Sequence, residues 1–315
     1  MFCISDVFLI TAEKILMLMC FFAMGYALAK FRLMPDDAPQ TLSKLLTLLF
    51  CPALTLNSMA TNLNRASLRA NADLFITGAV VMLVSIVLAR PLARAVSRGD
   101  EDLRGIMNYN LLFGNYGYIG YPMIQGIFGD AALSRFLLFA VPLNIVCYTY
   151  GRMVVEGHKR PSVKFLLTPL SISLGLGLLI GVLEIPLPKV VTDVLSASGD
   201  CMGPISMLIS GMILSHVSLK GCFTNGWNYL FAALRLVLLP LVAMAVMVPL
   251  GVRGEAMFFT GCFMCFPFGN NPIVFREALG LDSQKAAGMT LLSYIFSLIT
   301  VPVMFTLFRN LAGLA

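Results

Sequence analysis

Charge is what this chain has least of. Only 12% of its 315 residues are Asp, Glu, Lys or Arg, against about a quarter in a soluble globular domain. That is too little polar surface to coat a particle in water. Histidine is almost missing, with two residues, His158 and His216. Both fall in or beside polar loops, where a solvated or interfacial role is expected rather than a proton relay. No Ser–His or paired-Asp arrangement lies inside an apolar run, which speaks against an intramembrane hydrolase and against an enzyme. The net charge is +6, yet no basic, aromatic-interleaved patch lies outside the apolar runs, so no nucleic-acid partner is expected. The eight cysteines (Cys3, Cys20, Cys51, Cys147, Cys201, Cys222, Cys262 and Cys265) are scattered, mostly within apolar segments. They read as small hydrophobes, not as a disulfide framework. Cys262 and Cys265 have the spacing of a zinc or redox pair, but no second ligand pair accompanies them, and no metal or cofactor is expected. The opening MFCISDVFLITAEK lacks a basic n-region and a small-residue cleavage site, so a retained first span is expected.

What is present is hydrophobic length. Apolar residues make up 58% of the chain and the mean hydropathy is +0.86. Ten apolar runs of helical spanning length occur at approximately 7–29, 39–60, 73–96, 104–128, 132–156, 165–185, 190–217, 227–250, 255–280 and 284–308. They are not the short alternating segments of an outer-membrane barrel. The predicted class is an all-α integral membrane protein of ten transmembrane helices in a lipid bilayer. Loops after the odd-numbered spans carry fourteen of the 22 Lys and Arg residues and the other loops six, with Lys14 and Arg235 inside spans. The excess places the odd loops in the cytoplasm and both termini outside. The 19 methionines are expected in packing or in a pliable cavity wall.

One phrase occurs twice. Phe113-Gly114-Asn115 in span 4 returns as Phe268-Gly269-Asn270 in span 9, each followed by a proline, Pro122 or Pro272. Upstream, Pro52 pairs with Pro204, and the spacings to the asparagines are 63 and 66 residues. The copies, 1–156 and 165–315 joined by a linker at 157–164, are offset by five spans. Five is odd, so the second copy runs upside down, the inverted repeat of many secondary transporters. Helix breakers at mid-membrane depth are tolerated only where they are buried in protein or line a watered cavity. Here Pro122 and Pro272 each remove a helix hydrogen bond. Gly114, Gly117, Gly269 and the asparagines permit unwound backbone. The alternative is that the glycines, three apart in span 4, serve close helix packing.

The strings FGNYGYIGYPMIQGIFGD, PLN (142–144), RLVLLP (235–240) and FPFGNNPIVFREALGLD give the chain a resemblance, over nearly its whole length, to the auxin efflux carrier family. The resemblance implies a fold like that of the bile acid:sodium symporters, with spans 4 and 9 crossing as broken helices. Spans 1, 2, 6 and 7 would form a support panel, also the surface of a homodimer, and spans 3–5 and 8–10 an elevator-like transport domain. Asn115 and Asn270 would face the substrate, with Asn271, Asn144, Tyr116, Gly114, Gly269, Pro122 and Pro272 around them. Bacterial members are associated with malate and malonate, plant members with indole-3-acetate. The short central loop resembles the bacterial type, in a bacterial cytoplasmic (inner) membrane. The function implied is secondary active transport of small organic anions. An anion channel or a membrane-embedded sensor of the same architecture is the alternative; a channel should show a continuous polar stripe, whereas polarity here concentrates at two breaks. Arg235 is either a charge partner of the anion or a residue that snorkels to the interface. Lys14 and Glu13 are expected near the outer interface. Candidate acids for coupling to protons or sodium are Asp73, Asp193, Asp200 and Glu277, and the sequence does not choose among them.

Overall fold

The computed structural model describes residues 4–156, 167–217, 219–278 and 284–314; the linker expected at 157–164, with His158, lies outside them, as does the Glu277 side chain. In chain order the helices are α1 (Ile4–Lys30), α2 (Ala38–Leu45), α3 (Cys51–Asn62), α4 (Arg65–Ala70), α5 (Ala72–Ser97), α6 (Glu101–Leu112), α7 (Tyr121–Phe128), α8 (Asp130–Val146), α9 (Arg152–Glu156), α10 (Pro169–Val182), α11 (Lys189–Asp200), α12 (Met202–Leu214), α13 (Leu219–Thr224), α14 (Gly226–Ala233), α15 (Leu239–Met247), α16 (Gly254–Cys265), α17 (Asn271–Ala278) and α18 (Gln284–Ala312). No strand occurs among the described residues.

Seven stretches are long and apolar enough to cross a bilayer: Val7–Lys30, Ala38–Asn62, Ala72–Ser97, Asp130–Val155, Lys189–Leu214, Gly226–Met247 and Gln284–Ala312. The other three expected spans look different. Residues 165–185 yield α10, an apolar helix of 14 residues. Residues 104–128 and 255–280 come as pairs of shorter helices separated by non-helical chain. Large apolar side chains point outward along these stretches, among them Leu83 and Val87 of α5. Such a surface is costly in water and suits lipid.

Glycine sets the closest helix contacts. A Cβ at Gly25 of α1 would lie 2.1 Å from the Leu208 carbonyl oxygen of α12, and one at Gly211 of α12 2.0 Å from that of Phe22. A Cβ at Gly181 of α10 would lie 2.4 Å from the Leu63 oxygen, just after α3. Small residues of this kind let helix backbones meet where lipid offers no hydrophobic drive to associate. Elsewhere the packing is aromatic. Phe136 and Phe139 of α8 stack 5.8 Å apart, and Phe136 meets Phe259 of α16 edge-on at 5.3 Å. Phe266 meets Phe305 of α18 at 5.7 Å.

Pro122 removes a helix hydrogen bond as the sequence leads one to expect, but neither it nor Pro272 makes the interruption. A π turn precedes each of Pro52, Pro122 and Pro240: Leu46–Phe50, Tyr116–Gly120 and Leu234–Leu238. In each case the residue just before the proline donates its N–H five residues back: Cys51 to Leu46, Tyr121 to Tyr116 and Leu239 to Leu234. Opening the turn by one residue relieves the clash between the proline ring and the carbonyl four residues earlier. The interruption in this segment lies at Phe113–Asn115, well before Pro122. Pro272 sits second in α17, where a missing N–H costs nothing. The carbonyl deprived by Pro122 is that of Tyr118, and Ser206 Oγ of α12 supplies it at 2.9 Å, sharing its proton with the Gly203 carbonyl at 2.8 Å. Ser206→Ala is expected to cost about 1–2 kcal/mol by orphaning the Tyr118 carbonyl, read as a lower melting temperature of the purified protein.

Candidate functional site

Two non-helical segments meet inside the protein. One is Phe113–Asn115 between α6 and the turn before α7; the other is Phe266–Asn270 between α16 and α17. Gly114 and Phe268 form an isolated antiparallel bridge. The Asn115 N–H donates to the Pro267 carbonyl at 2.7 Å, and the Phe268 N–H donates to Ser293 Oγ at 3.1 Å. Each break thus satisfies part of the other's exposed backbone, which a buried interruption requires.

The glycines are steric devices. A Cβ at Gly114 would lie 2.3 Å from Arg235 Nη2 and 2.6 Å from the Phe266 oxygen. One at Gly120 would lie 2.8 Å from the Phe266 ring, whereas Gly117 faces open space. None of Gly114, Gly117 and Gly269 has a positive φ. The expectation that they permit unwound conformations is therefore corrected: Gly114 and Gly120 allow close approach, and Gly117 leaves room.

The repeated asparagines are joined by a residue that carries no mark in the sequence. Asn115 Nδ2 donates to Tyr294 Oη of α18 at 2.6 Å, and Tyr294 Oη donates to Asn270 Oδ1 at 3.1 Å. Asn270 Nδ2 donates to Ser210 Oγ of α12 at 2.5 Å, and Ser210 donates to the Ser206 carbonyl at 2.8 Å. Every proton in this chain runs one way, and its four side chains are buried. Asn115 also caps the helix after it, its Oδ1 accepting from the Tyr118 N–H at 3.2 Å. A second set surrounds Asn144, whose Oδ1 accepts from Tyr116 Oη at 2.9 Å and whose Nδ2 donates to Tyr121 Oη at 3.1 Å. Asn271 Nδ2 donates to Tyr109 Oη at 2.7 Å. Sequence signals for the unforeseen residues were thin: Ser206 and Ser210 sit four apart on one face of an apolar helix, and Tyr294 is a lone phenol in an apolar run.

A cavity of about 40 Å³ opens beside the bridge. Asn115, Asn144, Asn271, Tyr116, Gly117 and Gly269 help to line it, and among the described residues no acidic side chain does. Asn270, Pro122, Pro272 and Arg235 are not in its wall. Pro122 instead borders a cavity of about 520 Å³ with Lys14, Gln125, Asp130 and Asp200. Arg235 neither reaches the surface nor the small cavity. It is fully buried, and it donates through Nε to the Phe266 carbonyl at 3.0 Å, through Nη1 to Leu111 at 3.2 Å and through Nη2 to Phe263 at 2.8 Å. Snorkelling is excluded by that burial. Asp73, Asp193, Asp200, Glu13 and His216 are all exposed. Cys265 Sγ donates to its own helix at the Cys262 carbonyl, 3.4 Å away.

Apolar helices long enough to cross a bilayer, packed around an interior site of amides and phenols, define a multi-pass membrane protein. Comparison with known proteins narrows the class. A family model described as membrane transport protein matches residues 10–164 and 153–305. An uncharacterized transporter of Methanothermobacter thermautotrophicus is 23% identical over 305 residues, covering 94% of this chain and 98% of its own. An uncharacterized transporter of Methanocaldococcus jannaschii is 22% identical over 308 residues, covering 93% and 97%. The chain belongs to the membrane transport protein family, that of the auxin efflux carriers, and is a transport protein rather than an enzyme.

Proposed function

We propose that the protein is a secondary active transporter of small organic anions, carboxylates such as malate or malonate or auxin-like weak acids, working by elevator-type alternating access. One observation carries this reading: two interrupted apolar helices meet at Gly114 and Phe268 beside a cavity lined by three asparagines and, among the described residues, no carboxylate. The amides at the helix starts and the asparagine side chains suit an anion. The cavity has room for a few waters, not for a dicarboxylate, so the site must open to load. That requirement favours a carrier over a standing channel.

Helix packing supports ten crossings in two inverted repeats, with α6–α7 as the fourth crossing and α16–α17 as the ninth. Crossing 1 packs on 7 as 2 does on 6 (α1 on α12, α3 on α10). Crossing 3 packs on 5 as 8 does on 10 (α5 on α8, α14 on α18). Crossing 3 also packs on 4 as 8 does on 9 (α5 on α6, α15 on α16). A shift of five converts each pair into its counterpart. In this reading crossings 3–5 and 8–10 slide against 1, 2, 6 and 7, and the bonds from α12 to Asn270 and Tyr118 exchange as they do. The membrane is the bacterial cytoplasmic one, with both termini outside and a homodimer formed through the support panel.

The test is uptake into proteoliposomes of labelled malate, malonate, other carboxylates and indole-3-acetate, under separately imposed proton and sodium gradients. Asn115→Ala is expected to reduce uptake to background while the protein stays folded at a lower melting temperature, since it loses the cap, about 1 kcal/mol, and the buried bond to Tyr294, about 1–2 kcal/mol more. Wild-type uptake by that variant would remove Asn115 from the site, and no uptake of any acid by the wild type would remove the anion reading.

A further inference from the structure

We propose that Arg235 is a positioning residue, a built-in cation that cancels the carbonyl ends of α6 and α16 and leaves the amide ends opposite them to act on an anion. The proposal rests on the reading of the crossing as an anion site. Each interruption exposes two helix ends of opposite sign. Carbonyls end α6 and α16, and amides begin the helices at Tyr116 and Asn271. Each end is equivalent to about half a charge. With four ends crowded together, the two negative ones would offset much of the field that the positive ones present to a ligand.

Arg235 answers this directly. Leu111 and Phe263 lie in the last turns of α6 and α16, and Phe266 just follows α16, so their carbonyls are among those a helix leaves without partners. The guanidinium takes one of these carbonyls from the first break and two from the second. Two negative half charges sum to about one, which matches the guanidinium. Among the described residues its hydrogen bonds all go to main-chain carbonyls, and no carboxylate pairs with it. The Phe263 ring lies 5.7 Å from its Cζ. A π turn, Leu234–Leu238, carries the residue, and Gly114 makes room for its Nη2.

Clusters of half-helix carbonyls are where carriers built from inverted repeats bind a coupling cation. Here a covalently tethered guanidinium occupies the cluster, so the position requires no mobile cation.

Arg235→Lys and Arg235→Met separate charge from packing, because both keep an unbranched stem and only Lys keeps the charge. In the purified full chain, Arg235→Met is expected to melt roughly 5–10 °C below wild type, because it orphans buried carbonyls. Arg235→Lys should regain at least half of that loss. Arg235→Ala should be restabilised by low millimolar guanidinium or by sodium, and not by choline. In proteoliposomes given labelled malonate on the outside, Arg235→Met should lose about tenfold or more in uptake and Arg235→Lys much less. Equal melting of the Lys and Met variants, or an Ala variant indifferent to guanidinium, overturns the proposal. If Arg235→Ala does not fold, the Lys and Met comparison decides it alone. The melting arm needs no substrate. A wild type that ignores malonate therefore counts against the anion reading, while melting alone still decides the role of Arg235.

Discussion

Gly114→Ala is expected to abolish the folded crossing, whereas Gly117→Ala, three residues on, should leave the fold intact and strike only transport. At Gly114 the added methyl would sit 2.6 Å from the Phe266 carbonyl oxygen and 2.3 Å from Arg235 Nη2. Neither neighbour can yield cheaply. The carbonyl belongs to a backbone segment fixed by the bridge at Phe268, and the guanidinium is held by three carbonyls. Overpacking in a closed core typically costs about 1–3 kcal/mol. Displacing the arginine adds the cost of leaving its carbonyl partners unpaired, about 1–3 kcal/mol each. Nothing lies within 4 Å of a Cβ at Gly117, and alanine is the better helix former there. Its methyl enters the small cavity that Gly117 lines. Thermal melting and proteoliposome uptake, measured on both variants, give the check: melting should fall sharply for the first only, and uptake for both. An unchanged melting temperature in Gly114→Ala would show that the two breaks are not in the tight contact described.

Tyr294→Phe should produce the second large effect. It removes one oxygen, which accepts from Asn115 and donates to Asn270. The Phe22 edge contact at 5.7 Å needs only the ring and survives. The loss leaves an amide donor and an amide oxygen buried without that partner. The expected cost is roughly 2–4 kcal/mol, toward the lower end if water enters. Uptake should fall as well, because Asn115 and Asn270 lose the group that fixes their rotamers. A double-mutant cycle with Asn270→Ala checks the assignment. The two changes should be strongly non-additive, since each breaks the same chain.

Much of this protein was readable from the chain. Its membrane class and its helical character followed from composition and run length, and the doubled Phe-Gly-Asn phrase drew attention to the two segments that meet at Gly114 and Phe268. Each of these is local or periodic, and local signals survive in a linear string. The repeat pointed to Asn115, Asn270 and their neighbours because an amide inside an apolar run demands a reason. The same string misled on mechanism at the prolines. Pro122 marks a widened turn, and the interruption lies seven residues or more upstream of it, because a π turn lets a helix absorb the ring.

Contact across the fold decided the rest. A glycine chosen for backbone conformation and one chosen for clearance are the same letter; only the Phe266 oxygen and the Arg235 guanidinium beside Gly114 tell them apart. Arg235 reads as a substrate partner or as a snorkelling residue, since a sequence shows a charge and not the carbonyls it reaches 28 to 124 residues away. Tyr294 and Ser210 carry no local mark at all, and matter because a hydroxyl of α18 and another of α12 arrive at the same two asparagines. By itself, then, the sequence determined the helical membrane class and the letters, Gly, Asn and Pro, at which helical hydrogen bonding could fail. Only the tertiary structure decided which groups satisfy the failures, because an unpaired buried backbone or amide group takes its partner from whatever packs against it in space.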